Sequence, residues 1–421
     1  MLHDHQCNLK YFSSPVSVAF YVTFKCNMEC LHCALNSSPL RREEIPIRLF
    51  EAVLDQLWKS NVFEVGIIGG EPLTHPDIGD MFRILREYGF VWSLSTNGTL
   101  LKESNILESI LKHEPASIHI SLHGYPKEVH NFITGSSSFD AVLSSIETLR
   151  SCGLKVILNT TIHRRLCEHV VEFVNFLKER RLKTAVNLLI PIGRARENWG
   201  KLVPSRTDFL KAIYMLDLYK NTVLFETPPL NLKYECRGAR SVLVIDPSGY
   251  CYPCDQAVGL RFFRNEHCNI FRRTLRDIWE SEYFKEFRRA SEKREGVCPA
   301  LSLWLYNDMS KATFEEMFVE FYGFTPSTSG CGPGKEVNLM NMVLKGELRV
   351  TFDSNTSYRN EGQDYIMLYN KRTRNISLIS KDLFEIIVRR NFSSLPRDVY
   401  PELNRALELL IREGFLRCVN R

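Results

Sequence analysis

The sequence predicts an α/β fold: a partial (βα)6 TIM-like barrel, then a small cysteine-rich α+β extension, then a C-terminal winged-helix-like domain. Three observations predict it. Between residue 16 and about residue 204, short β-branched runs alternate with amphipathic helical stretches, the rhythm of a parallel sheet joined by right-handed crossovers. Cysteines then recur on both sides of a glycine turn between residues 236 and 254. Last, a Ser/Gly/Pro stretch at 327–334 precedes short strands followed by helices. The expected divisions are 1–205, 206–334 and 335–421, and 421 residues suit two or three separate cores.

The expected strands are 16–24, 63–69, 90–96, 117–122, 155–161 and 184–190, with helices at 47–59 (opened by Pro46), 78–88, 106–113, 139–151 and 169–180. Residues 188–194 read as a strand leaving the barrel and 207–219 as a helix. In such a sheet a ligand sits beyond the carboxyl ends of the strands. The candidates found there are Cys26, Cys30 and Cys33 after the first strand and Gly69, Gly70, Glu71 and Pro72 after the second. Ser95 and Asn97 end the third strand, Ser121 the fourth, and Asn159 lies near the end of the fifth. Gly69 and Gly70 let backbone approach a ligand closely, and Pro72 stiffens the turn. The short polar side chains suit a ribose or a carboxylate. His119 and His123 flank Ser121 and are expected to be satisfied by their neighbours.

Cys26, Cys30 and Cys33 follow CxxxCxxC spacing. Three thiolates on one short loop can hold three corners of an iron–sulfur cubane and leave the fourth iron open, unlike a four-cysteine electron carrier. A zinc site with His32 is the competing reading, although closed zinc sites usually draw two ligands from each of two knuckles. A disulfide requires an oxidising compartment. The chain starts without an apolar core of signal-peptide length and nowhere approaches about eighteen consecutive apolar residues, so no membrane span and a cytoplasmic location are expected. Thirteen cysteines in a reducing compartment point to metal or redox chemistry. A net charge of +5 is mild and argues for neither nucleic acid nor membrane.

Taken in order, CxxxCxxC with His32 before the last cysteine, the box Gly69-Gly70-Glu71-Pro72 and Ser95-Thr96-Asn97-Gly98 make the chain resemble a radical S-adenosylmethionine (SAM) enzyme. The resemblance implies a 4Fe-4S cluster on Cys26, Cys30 and Cys33. It also implies SAM held by His32, Gly69, Gly70, Glu71, Pro72, Ser95, Asn97, Ser121 and Asn159, and reductive cleavage of SAM to a 5′-deoxyadenosyl radical. A flavodoxin or ferredoxin would donate the electron.

Cys236, the turn Asp246-Pro247-Ser248-Gly249, and Cys251 and Cys254 resemble the SPASM or twitch extension that holds auxiliary clusters. Only Cys298 and Cys331 follow, so the expected count is one auxiliary iron–sulfur cluster on Cys236 and Cys254 with help from Cys251, Cys298 and Cys331; zinc in the same cage is the alternative. Cys268 is a further candidate, whereas Cys7, Cys152, Cys167 and Cys418 read as plain small hydrophobes. The last segment reads as strands 348–352, 365–369 and 375–379 and helices 381–390 and 401–413, faintly resembling leader-peptide recognition modules. The implied activity is peptide modification by hydrogen abstraction, giving a thioether, carbon–carbon or related cross-link. The alternatives are a radical SAM enzyme acting on a sugar, tetrapyrrole or cofactor precursor, and an iron–sulfur redox sensor binding DNA. The sensor has no need of a SAM site, and no base-reading helix stands out.

Overall fold

The computed structural model describes residues 11–217, 219, 222–224, 236–293, 298–312, 314–323, 349–361, 365–389, 406–407, 409–411, 413 and 415–419. They form two compact units, Ser14–Ser329 and Gly330–Arg421, the latter with the few residues that precede Ser14.

In the first unit β1 (Ser17–Thr23), β2 (Glu64–Gly69), β3 (Val91–Thr96), β4 (Ser117–Ser121), β5 (Val156–Thr161), β6 (Thr184–Asn187) and β7 (Thr222–Leu224) lie side by side in chain order, all parallel. Six of these are the strands the alternation predicts, and the short β7 is additional. The sheet does not stop at β1. Its free edge takes β8 (Val242–Ile245) in parallel, with Ser17 opposite Val242, and then β9 (Cys251–Tyr252) antiparallel. The cysteine-rich segment therefore continues the barrel sheet, and both belong to one unit.

Strand alternation separates two faces. Val18, Phe20, Val65, Ile67, Trp92, Leu94, Ile118, Ile120, Leu158 and Val186 are buried in the apolar core with Phe50, Leu54, Phe82 and Leu85 of the helices Ile47–Lys59 and Ile78–Tyr88. Phe20 meets Phe50 edge-on at 5.1 Å between ring centres. The opposite face carries Gly66, Ser93, Ser95, His119, Ser121, Asn159, Thr161 and Asn187, all only half-buried. The sheet is thus covered by helices on one side and lined with small, half-buried polar groups on the other, here called the lumen face.

Residues 188–194 do not form the expected exit strand. β6 ends at Asn187, Gly193 adopts φ +56, which a strand cannot contain, and a short helix Arg194–Glu197 follows. The helix expected at 169–180 forms as Val170–Glu179, preceded by a short additional helix Arg164–Glu168. Among the described residues no helix is long and apolar enough to cross a membrane.

In the second unit β10 (Arg349–Phe352) pairs with β14 (Leu416–Val419), and β11 (Thr356–Glu361), β12 (Tyr365–Asn370) and β13 (Ile376–Ser380) form an antiparallel sheet next in sequence to the helix Lys381–Arg389. Leu368, Ile379, Leu383, Ile387, Leu407, Leu410 and Phe415 make its core. β11 and β14 are absent from the pattern-based expectation, and most of the helix expected at 401–413 lies outside the described residues. Arg359 and Glu361, 5% and 0% exposed, pair at 2.6 Å, and Glu361 also accepts the Ser13 amide. Removing one member of such a buried pair costs about 3–5 kcal/mol. Glu361→Ala should therefore speed amide hydrogen exchange across β11 and β12 by several orders of magnitude; unchanged exchange would refute the pair's structural role.

Candidate active site

Cys26, Cys30 and Cys33 sit on the loop that leaves β1, and all three thiols are free. The loop is pinned by the Cys26 amide on the Ser38 carbonyl at 3.1 Å, Leu31 on the Ile133 carbonyl at 2.8 Å, and the Cys33 amide on the Cys30 carbonyl at 3.2 Å. Burial pushes the thiols of Cys26 and Cys30 up to about 12, and the charge of the neighbouring cysteines adds to the rise. Cys26 and Cys30 thus deprotonate only against a strong local cation. The donor set therefore fits a metal cluster, which supplies that charge and is soft enough for sulfur.

The Gly69-Gly70-Glu71-Pro72 turn touches this loop directly. Gly70 donates to the Thr23 carbonyl and Glu71 to the Lys25 carbonyl, both at 2.8 Å. A Cβ on Gly69 would lie 2.6 Å from the Thr23 oxygen, and one on Gly70 2.3 Å from the Lys25 oxygen. The glycines are thus required for chain-to-chain approach, whatever ligand the turn also meets. The Glu71 carboxylate points inward and is fully buried. Its Oε1 accepts from the Leu73 amide at 3.1 Å and the Thr96 hydroxyl at 2.7 Å, and its Oε2 from the Asn97 amide at 2.7 Å. Pro72 begins the single turn Pro72–Thr74 that Glu71 caps.

Asn97 lies beside the cysteine loop, its amide nitrogen 2.8 Å from Asn27 Oδ1 and 4.0 Å from Cys26 Sγ, while its Oδ1 accepts from Thr99. Ser95, Ser121 and Asn159 share the lumen face, Ser95 in register with His119 and Ser121 with Asn159. The His32 ring meets His123 edge-on at 4.5 Å, and its Nδ1 is buried without a partner. His123, His130 and His163 are buried with it. Burial holds all four imidazoles neutral, His32 down to about 4 and His163 to about 3. As expected, His123 is satisfied internally: its Nδ1 accepts from the Thr161 amide at 3.2 Å.

The second cysteine group sorts itself by geometry. Cys236 and Cys254 are half-buried and Cys298 is buried; desolvation pushes the Cys254 thiol up, and Cys298 and Cys236 add to the rise, so the three lie within electrostatic reach of one another. Cys251 does not join them. Its extended backbone places residues three apart on opposite faces, and its thiol meets the Gly249 carbonyl at 3.8 Å and the charge of Cys268 instead. Cys331 lies outside the described residues. Three soft donors suit an iron–sulfur cluster by chemistry, while among the described residues no group of three is close enough to hold a single metal ion such as zinc.

Two residues not singled out by sequence reading connect these groups. Tyr21, on β1, donates its hydroxyl to Asp255 Oδ1 at 3.1 Å, and Asp255 follows Cys254 directly. Burial and the Asp255 carboxylate hold the phenol well above its ordinary range, with smaller contributions from both Cys33 and Cys254. Tyr21 thus lies within electrostatic reach of both cysteine groups.

Family profiles match both segments: that of the radical SAM superfamily over residues 20–177 and that of an iron–sulfur cluster-binding domain, SPASM, over 236–300. The chain belongs to the radical SAM superfamily. Its cofactors are accordingly a 4Fe-4S cluster and SAM, and its SPASM domain is of a kind that binds auxiliary iron–sulfur clusters. This radical SAM chain is 26% identical over 299 residues to the mycofactocin maturase MftC of Mycobacterium tuberculosis, covering 68% of this chain and 75% of MftC. It is also 26% identical over 317 residues to an AdoMet-dependent heme synthase of Methanosarcina barkeri, covering 68% of this chain and 89% of that protein. Streptococcus suis SuiB, solved with SAM and also with its precursor peptide SuiA, shares the fold. The SAM-bound structure has a TM-score of 0.58 at 19% identity, covering 71% of this chain and 76% of SuiB.

Burial raises the Glu71 carboxyl to about 7 against the pull of its three hydrogen bonds. The folded state therefore holds this proton more tightly than an unfolded glutamate does, whose pKa is about 4.3. The stability gained is fully present below that value and is lost as the pH rises through about 7. Relative to Glu71→Gln, the wild-type urea midpoint should fall between pH 5 and pH 7.5. A constant difference between the two proteins would refute the raised carboxyl.

Proposed function

We propose that this chain reductively cleaves SAM to a 5′-deoxyadenosyl radical and uses it to abstract hydrogen from a ribosomally made peptide or protein, leaving a thioether, carbon–carbon or related cross-link. The observation that carries the reading is the Tyr21–Asp255 contact, which links β1, whose Tyr21 lies within electrostatic reach of Cys33 and Cys254, to the residue that follows Cys254. Cys26, Cys30 and Cys33 hold the first cluster. The turn Gly69 to Pro72, with His32, Ser95, Asn97, Ser121 and Asn159, surrounds SAM, Glu71 by fixing the turn rather than by its carboxylate. Cys236, Cys254 and Cys298 hold an auxiliary cluster, with Cys331 as the candidate for a fourth ligand.

Bound on Cys26, Cys30 and Cys33, a reduced cluster would supply the one-electron chemistry that cleaves SAM and so allows hydrogen to be taken from the substrate. Forming a cross-link also removes a proton and an electron, and an auxiliary cluster on Cys236, Cys254 and Cys298 would supply the acceptor for that electron. Asp255 is placed to accept that proton, one residue from Cys254. Tyr21 keeps its own proton, because burial and the carboxylate oppose its loss, and so acts as a fixed donor that orients Asp255. The half-buried polar strand faces orient the substrate, and the apolar outer layer keeps water from the sheet.

MftC is by name a maturase, and SuiB has been seen with a precursor peptide, which supports a peptide substrate. The second unit then serves leader recognition, adding a peptide strand to a sheet edge. A flavodoxin or ferredoxin in the cytoplasm would donate the electron. The heme synthase relative favours a second reading, a tetrapyrrole or other small-molecule substrate.

Anaerobically reconstituted protein should hold about eight irons per chain, falling to about four when Cys26, Cys30 and Cys33 are all replaced by alanine. Four irons falling to none would remove the auxiliary cluster and the oxidative reading with it. With dithionite, SAM and peptides encoded beside the gene, 5′-deoxyadenosine should accompany a peptide losing two hydrogens. Asp255→Asn should still cleave SAM while cross-linking falls about a hundredfold, the usual contribution of a positioned base. Product formation from a porphyrin precursor, with none from any peptide, would favour the second reading.

A further inference from the structure

The segment that replaces the expected exit strand closes over the cysteine loop. A Cβ on Gly193 would lie 2.4 Å from the Ala34 carbonyl oxygen and 2.5 Å from that of Cys33, so only glycine fits there. Arg194 then makes three hydrogen bonds to the loop. Its amide donates to the Cys33 carbonyl at 3.0 Å, its Nε to the Cys30 carbonyl at 2.9 Å and its Nη2 to the Ser37 carbonyl at 2.6 Å. Asn198 adds a longer contact to the Leu31 carbonyl at 3.4 Å. Among the described residues no carboxylate pairs with Arg194, so its charge meets only the carbonyls of the loop that bears the three thiols. Loop closure needs donors, which an amide side chain also supplies, but it does not need a cation. A guanidinium left without a counter-ion beside three thiolates acts by its charge as well as its geometry.

We propose that Arg194 is a positioning residue for the cluster, clamping the Cys30–Ser37 segment and, through its fixed positive charge, favouring the reduced cluster over the oxidised one. A 4Fe-4S cluster on three thiolates becomes more negative by one charge when it accepts one electron, here from dithionite, and a nearby cation stabilises that state preferentially.

The inference rests on the reading that Cys26, Cys30 and Cys33 hold a four-iron cluster, and the test separates the two. Full-length protein, reconstituted anaerobically, is titrated with dithionite and followed by electron paramagnetic resonance, with iron counted per chain, for wild type, Arg194→Gln and Arg194→Lys. To isolate the first cluster, each is made in a Cys236→Ala/Cys254→Ala/Cys298→Ala background. Arg194→Gln should reduce the ratio of reduced to oxidised cluster at a fixed potential about tenfold, a shift of 59 mV to more negative potential for one electron. Arg194→Lys should stay close to wild type, since it keeps the charge and loses the fork. An Arg194→Gln cluster with four irons and an unmoved potential overturns the proposal. If the Gln variant binds no iron, Arg194→Lys decides: an unshifted potential supports the charge, and a shift as large as tenfold overturns it. Absence of any four-iron signal from the wild-type background would instead sink the cluster assignment itself.

Discussion

The site depends on one backbone contact, that of Gly69 and Gly70 with the chain from Thr23 to Lys25. Two short amide-to-carbonyl bonds hold it, and no side chain can be added to either glycine without displacing a carbonyl. Because Cys26 is the next residue after Lys25, the second strand's turn sets where the first thiol stands. Glu71 then carries the constraint sideways. Its buried carboxylate joins this turn to the end of β3 through Thr96 and Asn97, and Asn97 reaches back to Asn27 and Cys26. Three consecutive strand ends are thus tied into one ring of hydrogen bonds in which every donor has a fixed acceptor. A polar network of this kind is worth having in a low-dielectric interior only when it is completely satisfied.

Much of this was legible in the sequence, for definite reasons. β-branched runs alternating with amphipathic helices set six parallel strands in order, since crossover handedness leaves few arrangements of such units. The spacing of Cys26, Cys30 and Cys33 marked out a candidate metal loop because ligands so close in sequence need no tertiary information. Residues 188–194 were misread because Leu188, Leu189 and Ile190 have strand composition, while the decisive feature is the positive φ at Gly193, imposed by carbonyls of a loop far away in the chain. The sequence places Glu71 in the turn that the resemblance assigns to SAM but not where its side chain goes; its inward turn is a matter of rotamer and of what Thr96 offers.

The second cysteine group was legible as a group but not in its membership. Cys251 and Cys254 look equivalent in sequence, and only the extended backbone between them sends their thiols to opposite sides. Tyr21 and Asp255 escaped notice for the opposite reason. Each is unremarkable locally, and they meet only because β8 and β9 are added to the edge of β1, bringing together residues 234 apart.

That edge addition also constrains how the protein can be made. β1 emerges early from the ribosome, but its second neighbour is β8, and Ser17 must wait for Val242. Until then a long apolar edge with unpaired amides stands open beside a loop of reactive thiols. Pairing so distant in sequence is slow and exposed to misassembly. The first strand's partner on that side thus arrives only after residues 242–245 have been made, so the sheet of the first unit closes after translation of nearly all of it.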